Sequence, residues 1–127
     1  MLQNSILIVE DDPNICELIQ LTLDKGEYSF VSADTGSKAL HKIADEKPDL
    51  VILDILMPEP DGWKVYETIR KDPALSQTRV LILTALPIKP DILAEKHLLP
   101  ADRFMTKPFE LDDLRTAVRD LLEDTQR

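Results

Sequence analysis

The stretch ILIVEDDP, residues 6–13, decides the fold. Its first four residues are apolar without alternation, a pattern typical of a strand buried on both faces of a parallel sheet. Acidic residues follow, and Asp12-Pro13 is a helix start signal, because aspartate caps helices and proline tolerates the first helical position. The stretch therefore predicts a buried strand that passes directly into a helix.

The same unit recurs along the chain. Two further apolar runs, 50–53 and 80–83, and two weaker candidates, 28–33 and 103–106, bring the predicted strands to five. Helical spacing of apolar residues begins near residues 13, 37, 62, 91 and 111. This strict alternation predicts an α/β fold, a (βα)5 doubly wound five-stranded parallel sheet. Flavodoxin-like folds of this class have strand order 2-1-3-4-5, which we expect here.

Composition excludes several classes of protein. The 127 residues, 43% of them hydrophobic, fit a single domain over residues 1–127. A net charge of −9 without a basic cluster disfavours direct nucleic-acid binding, and three scattered glycines cannot form a nucleotide-binding loop. The single Cys16 suits a reducing compartment. No apolar run approaches the ~20 residues of a membrane span, and no signal peptide is visible, so we expect a cytoplasmic chain without membrane contact.

Chemically complementary residues end four of the predicted strands. Glu10 and Asp11 follow the first run, whereas Asp54, Thr84 and Lys107 follow the third, fourth and fifth. Ligands of doubly wound sheets bind beyond the carboxyl ends of the strands. Because neighbouring strands lie about 4.8 Å apart, carboxylates at the ends of the first and third strands can converge on one small cation.

The residue types favour phosphoryl transfer. Oxygen ligands with no histidine or cysteine nearby favour Mg²⁺, which leaves room for phosphate oxygens. Asp54 is central and is the best carboxylate nucleophile, while Glu10 and Asp11 are better placed to hold the metal. Lys107 and Thr84 would stabilise charge on the transferred phosphoryl oxygens.

Four ordered motifs resemble the receiver domain of bacterial two-component response regulators over essentially the whole chain. They are residues 6–13, residues 54–58 (DILMP) with Asp61-Gly62, Thr84-Ala85, and Lys107-Pro108-Phe109. The resemblance implies that Asp54 is the phosphorylated aspartate. It also implies that Glu10, Asp11, Asp54 and the backbone carbonyl of Leu56 hold Mg²⁺.

The remaining site residues follow from the same resemblance. Lys107 is expected to bind the phosphoryl group, and its peptide bond to Pro108 is expected to be cis. Thr84 is expected to turn its hydroxyl toward that group, with Phe104 as the aromatic switch residue that follows it. Because Phe104 has no hydroxyl, it can switch only by packing.

The resemblance also implies partners. The phosphoryl donor would be a phosphohistidine on a sensor histidine kinase or a histidine phosphotransfer protein, with the chain catalysing only its own phosphorylation and dephosphorylation. Phosphorylation would change the surface of the fourth helix, fifth strand and fifth helix, where a downstream protein partner or a second copy binds. No output domain is visible within residues 1–127, so the chain either acts through protein contacts or is the receiver of a longer protein.

Two alternatives stay open. A Mg²⁺-dependent phosphohydrolase with an aspartyl-phosphate intermediate would use the same nucleophile and metal, but it needs a general acid or base, and Leu56 stands two residues beyond Asp54. A phosphorylation-independent pseudo-receiver would keep the fold as a binding module. Such modules usually lose one site residue, and this chain has all of them.

We expect hydrolysis of the acyl phosphate to be slow. Leu56 and Leu86 lie two residues beyond Asp54 and Thr84 in the sequence. We expect them to flank the approach of the hydrolytic water, which neither side chain can orient. Changing both leucines to polar residues should shorten the lifetime of the phosphorylated protein, followed by intact mass after removal of the donor. An unchanged lifetime would contradict this expectation.

Overall fold

The computed structural model describes residues 4–55, 57, 62–85 and 103–125, and within them strands and helices alternate. The strands are β1 (Asn4–Val9), β2 (Tyr28–Ala33), β3 (Leu50–Asp54), β4 (Arg79–Thr84) and β5 (Arg103–Thr106). The helices are α1 (Pro13–Leu23), α2 (Gly36–Glu46), α3 (Gly62–Lys71) and α4 (Leu111–Thr125), with a 3₁₀ turn at Pro73–Leu75. The predicted helix over residues 91–99 lies outside the described residues.

All five strands are parallel and lie in the order β2-β1-β3-β4-β5. Val9 pairs with Leu53, Asp54 pairs with Leu83, and Thr84 pairs with Thr106. This register aligns the last residues of neighbouring strands at one edge of the sheet. The predicted α/β class and the strand order are confirmed.

The three uninterrupted apolar runs form the centre of the sheet, where both faces are covered. On one face, β1, β3 and β4 pack with α2 and α3, and on the other they pack with α1 and α4. The strands β2 and β5 lie at the two edges and are partly exposed, which explains why their sequence signals are weaker. No helix within the described ranges is long and apolar enough to cross a membrane.

Local signals set where the helices begin. The Asp12 carboxylate accepts a hydrogen bond from the Asn14 backbone N–H at 2.9 Å, and Pro13 is the first residue of α1. Thr35 caps α2 in the same way, through a 3.1 Å bond from the Lys38 N–H. Because α1 is capped at Asp12, the connection from β1 is short, and Glu10 and Asp11 lie in it.

The buried sheet predicts a large difference between two identical changes. Leu81 in β4 is 0% exposed, whereas Leu21 on α1 is 65% exposed. We expect Leu81→Ala to lower the free energy of unfolding by about 2–5 kcal/mol, because it removes packed atoms and leaves a cavity. Leu21→Ala should change it by no more than about 0.5 kcal/mol. Urea denaturation measures both, and equal losses would contradict the assignment of the core.

Candidate functional site

Three strands deliver the polar side chains of the candidate site. Glu10 follows β1, and its backbone N–H bonds the Ala33 carbonyl at 3.0 Å. Asp54 is the last residue of β3. Lys107 follows β5, and its N–H bonds the Thr84 carbonyl at 2.7 Å. Backbone bonds between neighbouring strands therefore extend past the assigned ends and hold these residues in place.

The Lys107 ammonium joins two buried carboxylates. Its Nζ lies 2.9 Å from Glu10 Oε2 and 3.3 Å from Asp54 Oδ2. The Glu10 and Asp54 side chains are 2% and 5% exposed, and that of Lys107 is 16% exposed. Since an unpaired buried charge is costly, the lysine stabilises both carboxylates where they stand.

Asp11 completes a cluster of three carboxylates. One oxygen each from Glu10, Asp11 and Asp54 lie within 4.8 Å of one another, and Asp11 is exposed. The three carboxylates and the Lys107 ammonium leave an excess of two negative charges when all are ionised. Oxygen donors with that excess charge fit a hard divalent cation such as Mg²⁺.

A groove reaches two members of the cluster, Glu10 and Asp11. About 600 Å³ of open space lies between α1, the end of β2 and α2, and Glu10 and Asp11 line it. Cys16 lines the same groove, where burial raises the pKa of its thiol, and Lys42 donates a hydrogen bond to the Ser32 carbonyl. A hydrated cation can therefore approach Glu10 and Asp11 from this side.

The environment shifts the proton affinity of both partners in the ion pair. Burial, with the nearby Asp54 charge, raises the pKa of Glu10 to about 7, even though the hydrogen bond from Lys107 and that lysine's charge act in the opposite direction. Burial lowers the pKa of Lys107, but the charges and hydrogen bonds of Glu10 and Asp54 outweigh it and raise this pKa above its ordinary value. Lys107 therefore stays charged at neutral pH.

The other predicted residues have different positions. Thr84 is buried at the end of β4, between the strands that carry Asp54 and Lys107. Phe104 lies in β5 and is 41% exposed. Leu56 and Leu86 lie outside the described residues. The Lys107–Pro108 peptide bond is cis, as expected.

Two contacts of the site were absent from the sequence predictions. The Asp12 N–H donates to Glu10 Oε1 at 3.2 Å, so the residue that caps α1 also holds a site carboxylate. The N–H of Gly62, the first residue of α3, donates to the Ile55 carbonyl at 3.2 Å, beside Asp54. A glycine at a predicted helix start was the visible signal for the second contact.

Comparison with known proteins agrees with this geometry. The sequence matches the family model described as the response regulator receiver domain over residues 6–119. The chain therefore belongs to the receiver domain family of two-component response regulators, which is a family of signalling proteins.

Several curated relatives of the chain are longer proteins. The chain is 35% identical over 122 residues to the DNA-binding dual master transcriptional regulator RpaA of Synechocystis sp., an alignment covering 96% of this chain and 50% of that protein. It is 33% identical to the alkaline phosphatase synthesis transcriptional regulatory protein PhoP of Bacillus subtilis, covering 98% of this chain and 51% of PhoP. The chain thus spans about half the length of these curated relatives.

Solved receiver domains have the same fold. The receiver domain of a signal transduction histidine kinase from Syntrophus aciditrophicus superposes with a TM-score of 0.86 at 33% identity, covering 98% of this chain and 93% of the other. The BeF3-activated N-terminal receiver domain of Klebsiella pneumoniae RstA superposes with a TM-score of 0.80 at 31% identity, covering 94% of this chain and 98% of the other.

The ion pair predicts the titration of Glu10 in metal-free protein. We expect its side-chain carboxyl to titrate near pH 7 in an NMR titration, because burial disfavours the charged form. Lys107→Met removes a hydrogen bond and a positive charge that favour ionised Glu10, so the pKa should rise further. Lys38→Met is the control, because that lysine pairs with the exposed Asp34.

The raised pKa of Glu10 also makes the free energy of unfolding depend on pH. Because the folded chain holds a proton on Glu10 at pH values where the unfolded chain has lost it, this group lowers the free energy of unfolding as pH rises from about 4.5 to about 7. A titration midpoint of Glu10 near pH 4.5 would contradict the effect of burial. A lower midpoint in Lys107→Met would contradict the effect of the lysine.

Proposed function

We propose that residues 1–127 act as one signalling switch in which Asp54 accepts a phosphoryl group from a phosphohistidine on a sensor histidine kinase or a histidine phosphotransfer protein. The observation that carries the proposal is the convergence of a buried aspartate, two further carboxylates and one ammonium at the carboxyl ends of parallel strands. Each of these groups has a task in phosphoryl transfer to a carboxylate.

The chain offers a ligand set for Mg²⁺. Glu10, Asp11 and Asp54 would hold the ion, with the backbone carbonyl of Leu56 as the further ligand that the family resemblance implies. When bound, the ion would neutralise charge on the carboxylates and on the phosphoryl oxygens. The all-oxygen donors and the excess of two negative charges support this assignment.

The transfer uses the chain's own side chains. A carboxylate oxygen of Asp54 attacks phosphorus, a new O–P bond forms, and the P–N bond to the donor histidine breaks. The electron pair of that bond returns to the imidazole nitrogen. Lys107, 3.3 Å from Asp54, is placed to stabilise the negative phosphoryl oxygens, and the Thr84 hydroxyl adds a donor from the neighbouring strand.

Phosphorylation would change a surface beyond the site. The added charge attracts Lys107 and Thr84, and Thr84 is paired with Thr106 of β5. Phe104 lies in the same edge strand and is exposed, so a change there reaches solvent. We propose that a downstream protein partner, or a second copy of the chain, binds the surface predicted for the fourth helix, fifth strand and fifth helix, of which the structure describes β5 and α4.

The charge of the chain directs the choice of partners. With a net charge of −9, protein contacts are favoured over direct contact with nucleic acid. The Synechocystis relative is named as a DNA-binding protein, but it is about twice as long as this chain. We propose that the phosphoryl transfer takes place in the cytoplasm, because a single unpaired cysteine suits its reducing environment.

Intact-mass measurement tests the phosphoacceptor. Incubation with acetyl phosphate and Mg²⁺ should add the mass of one phosphoryl group to the parent, and Asp54→Asn should abolish the gain because an amide is not a nucleophile for phosphorus. Asp45→Asn, an identical change on the exposed side of α2, should leave the gain unchanged. Withholding Mg²⁺ should also prevent it.

Three outcomes would contradict the proposal. A full mass gain in Asp54→Asn would place the phosphoryl group elsewhere, and steady release of phosphate from simple phosphate esters would indicate a phosphohydrolase. A parent chain that takes up neither Mg²⁺ nor phosphoryl groups would indicate a pseudo-receiver.

A further inference from the structure

We propose that Gly62 is a positioning residue for Asp54. Because residue 62 has no side chain, the start of α3 closes directly onto the backbone at the end of β3 and fixes where the Asp54 carboxylate stands. The inference rests on the proposed function of Asp54, and it assigns to Gly62 a task in placing the nucleophile.

The contact leaves no room for a side chain. A Cβ at residue 62 would lie 2.5 Å from the Asp54 carbonyl oxygen, 2.5 Å from Ile55 Cα and 3.1 Å from the Asp54 carbonyl carbon. All three are backbone atoms, so none can rotate away. Among the described glycines, Gly26 alone has a positive φ, so Gly62 is required for space and not for its backbone conformation.

Hydrogen bonds hold the same backbone from two sides. The Ile55 carbonyl accepts both the Gly62 N–H at 3.2 Å and the Met57 N–H at 3.1 Å, which closes the chain between β3 and α3. On the other side, the Ile55 N–H donates to the Leu83 carbonyl of β4 at 3.1 Å. The residue next to the nucleophile is therefore held between α3 and β4.

A side chain at residue 62 would displace the backbone that carries Asp54. Val65, Tyr66 and Ile69 anchor α3 in the core and are almost completely buried, so the helix resists moving outward. To change a 2.5 Å approach into an ordinary contact, the backbone must move by about 1 Å. A misplacement of about 1 Å in a reacting group costs on the order of 100-fold in rate.

The carboxylate geometry has little tolerance for such a shift. Asp54 Oδ2 lies 3.3 Å from Lys107 Nζ, and an Asp54 oxygen lies within 4.8 Å of oxygens of Glu10 and Asp11. A displaced Asp54 would weaken the common metal site and the contact with Lys107 together. Gly62 therefore acts on the site through the backbone that carries Asp54.

Gly62→Ala and Gly26→Ala form a matched pair. Gly26 has φ +83°, and a Cβ there has nothing within 4 Å, so alanine adds backbone strain without a clash, between α1 and β2. We expect Gly62→Ala to remain folded, to lower the phosphorylation rate at saturating acetyl phosphate by about 100-fold, and to weaken Mg²⁺ binding measured by calorimetry without donor. Gly26→Ala should lose stability in urea and retain the parental rate and Mg²⁺ affinity.

Each result decides the proposal. Parental rate and Mg²⁺ affinity in Gly62→Ala would overturn it, as would an equal loss of both in Gly26→Ala, because the effect would then follow stability. An unfolded Gly62→Ala would overturn it too, since the glycine would then be a requirement of folding. If the parent itself were not phosphorylated, the proposed function would fail, while the Mg²⁺ affinities of the two variants would still decide the role of Gly62.

Discussion

The buried ion pair of Lys107 with Glu10 and Asp54 is the constraint on which the site depends. Lys107 follows β5, Glu10 follows β1 and Asp54 is the last residue of β3, so the three meet because these strands run parallel and end at the same edge of one sheet. Taking such charges out of water costs several kcal/mol for each ion, and the ammonium offsets that cost only while it contacts both carboxylates. A shift in the register of the sheet would therefore disrupt the site.

The site also keeps an imbalance of charge that suits its proposed work. One lysine cannot neutralise three carboxylates, and in metal-free protein burial makes Glu10 hold its proton up to about pH 7. Because a metal ligand must be deprotonated, cation binding competes with that proton. Asp11 is exposed while Glu10 and Asp54 lie deeper, so a cation bound as proposed would meet Asp11 first. The proposed metal, the proton and the lysine would thus act on the same few oxygens.

Much of this architecture could be predicted from local pattern. The runs 6–9, 50–53 and 80–83 are buried as expected, and the Asp12-Pro13 start of α1 is observed with its cap bond. The grouping of Glu10, Asp54 and Lys107 also followed from strand ends, because parallel strands share one functional edge. The contacts of Gly62 with Asp54 and Ile55 could not be predicted, since a glycine at a helix start has many causes and only coordinates show the backbone it touches.

By itself the sequence determined the class of fold and the candidate residues of the site, because apolar runs, helix starts and strand-end residue types are local properties of the chain. The expected sheet order followed from that class of fold. Only the tertiary structure decided how the charges are shared: that Lys107 contacts Glu10 at 2.9 Å and Asp54 at 3.3 Å, and that burial raises the pKa of Glu10. Distances and desolvation depend on how separate strands and helices pack around one point, and neighbours along the chain do not specify that packing.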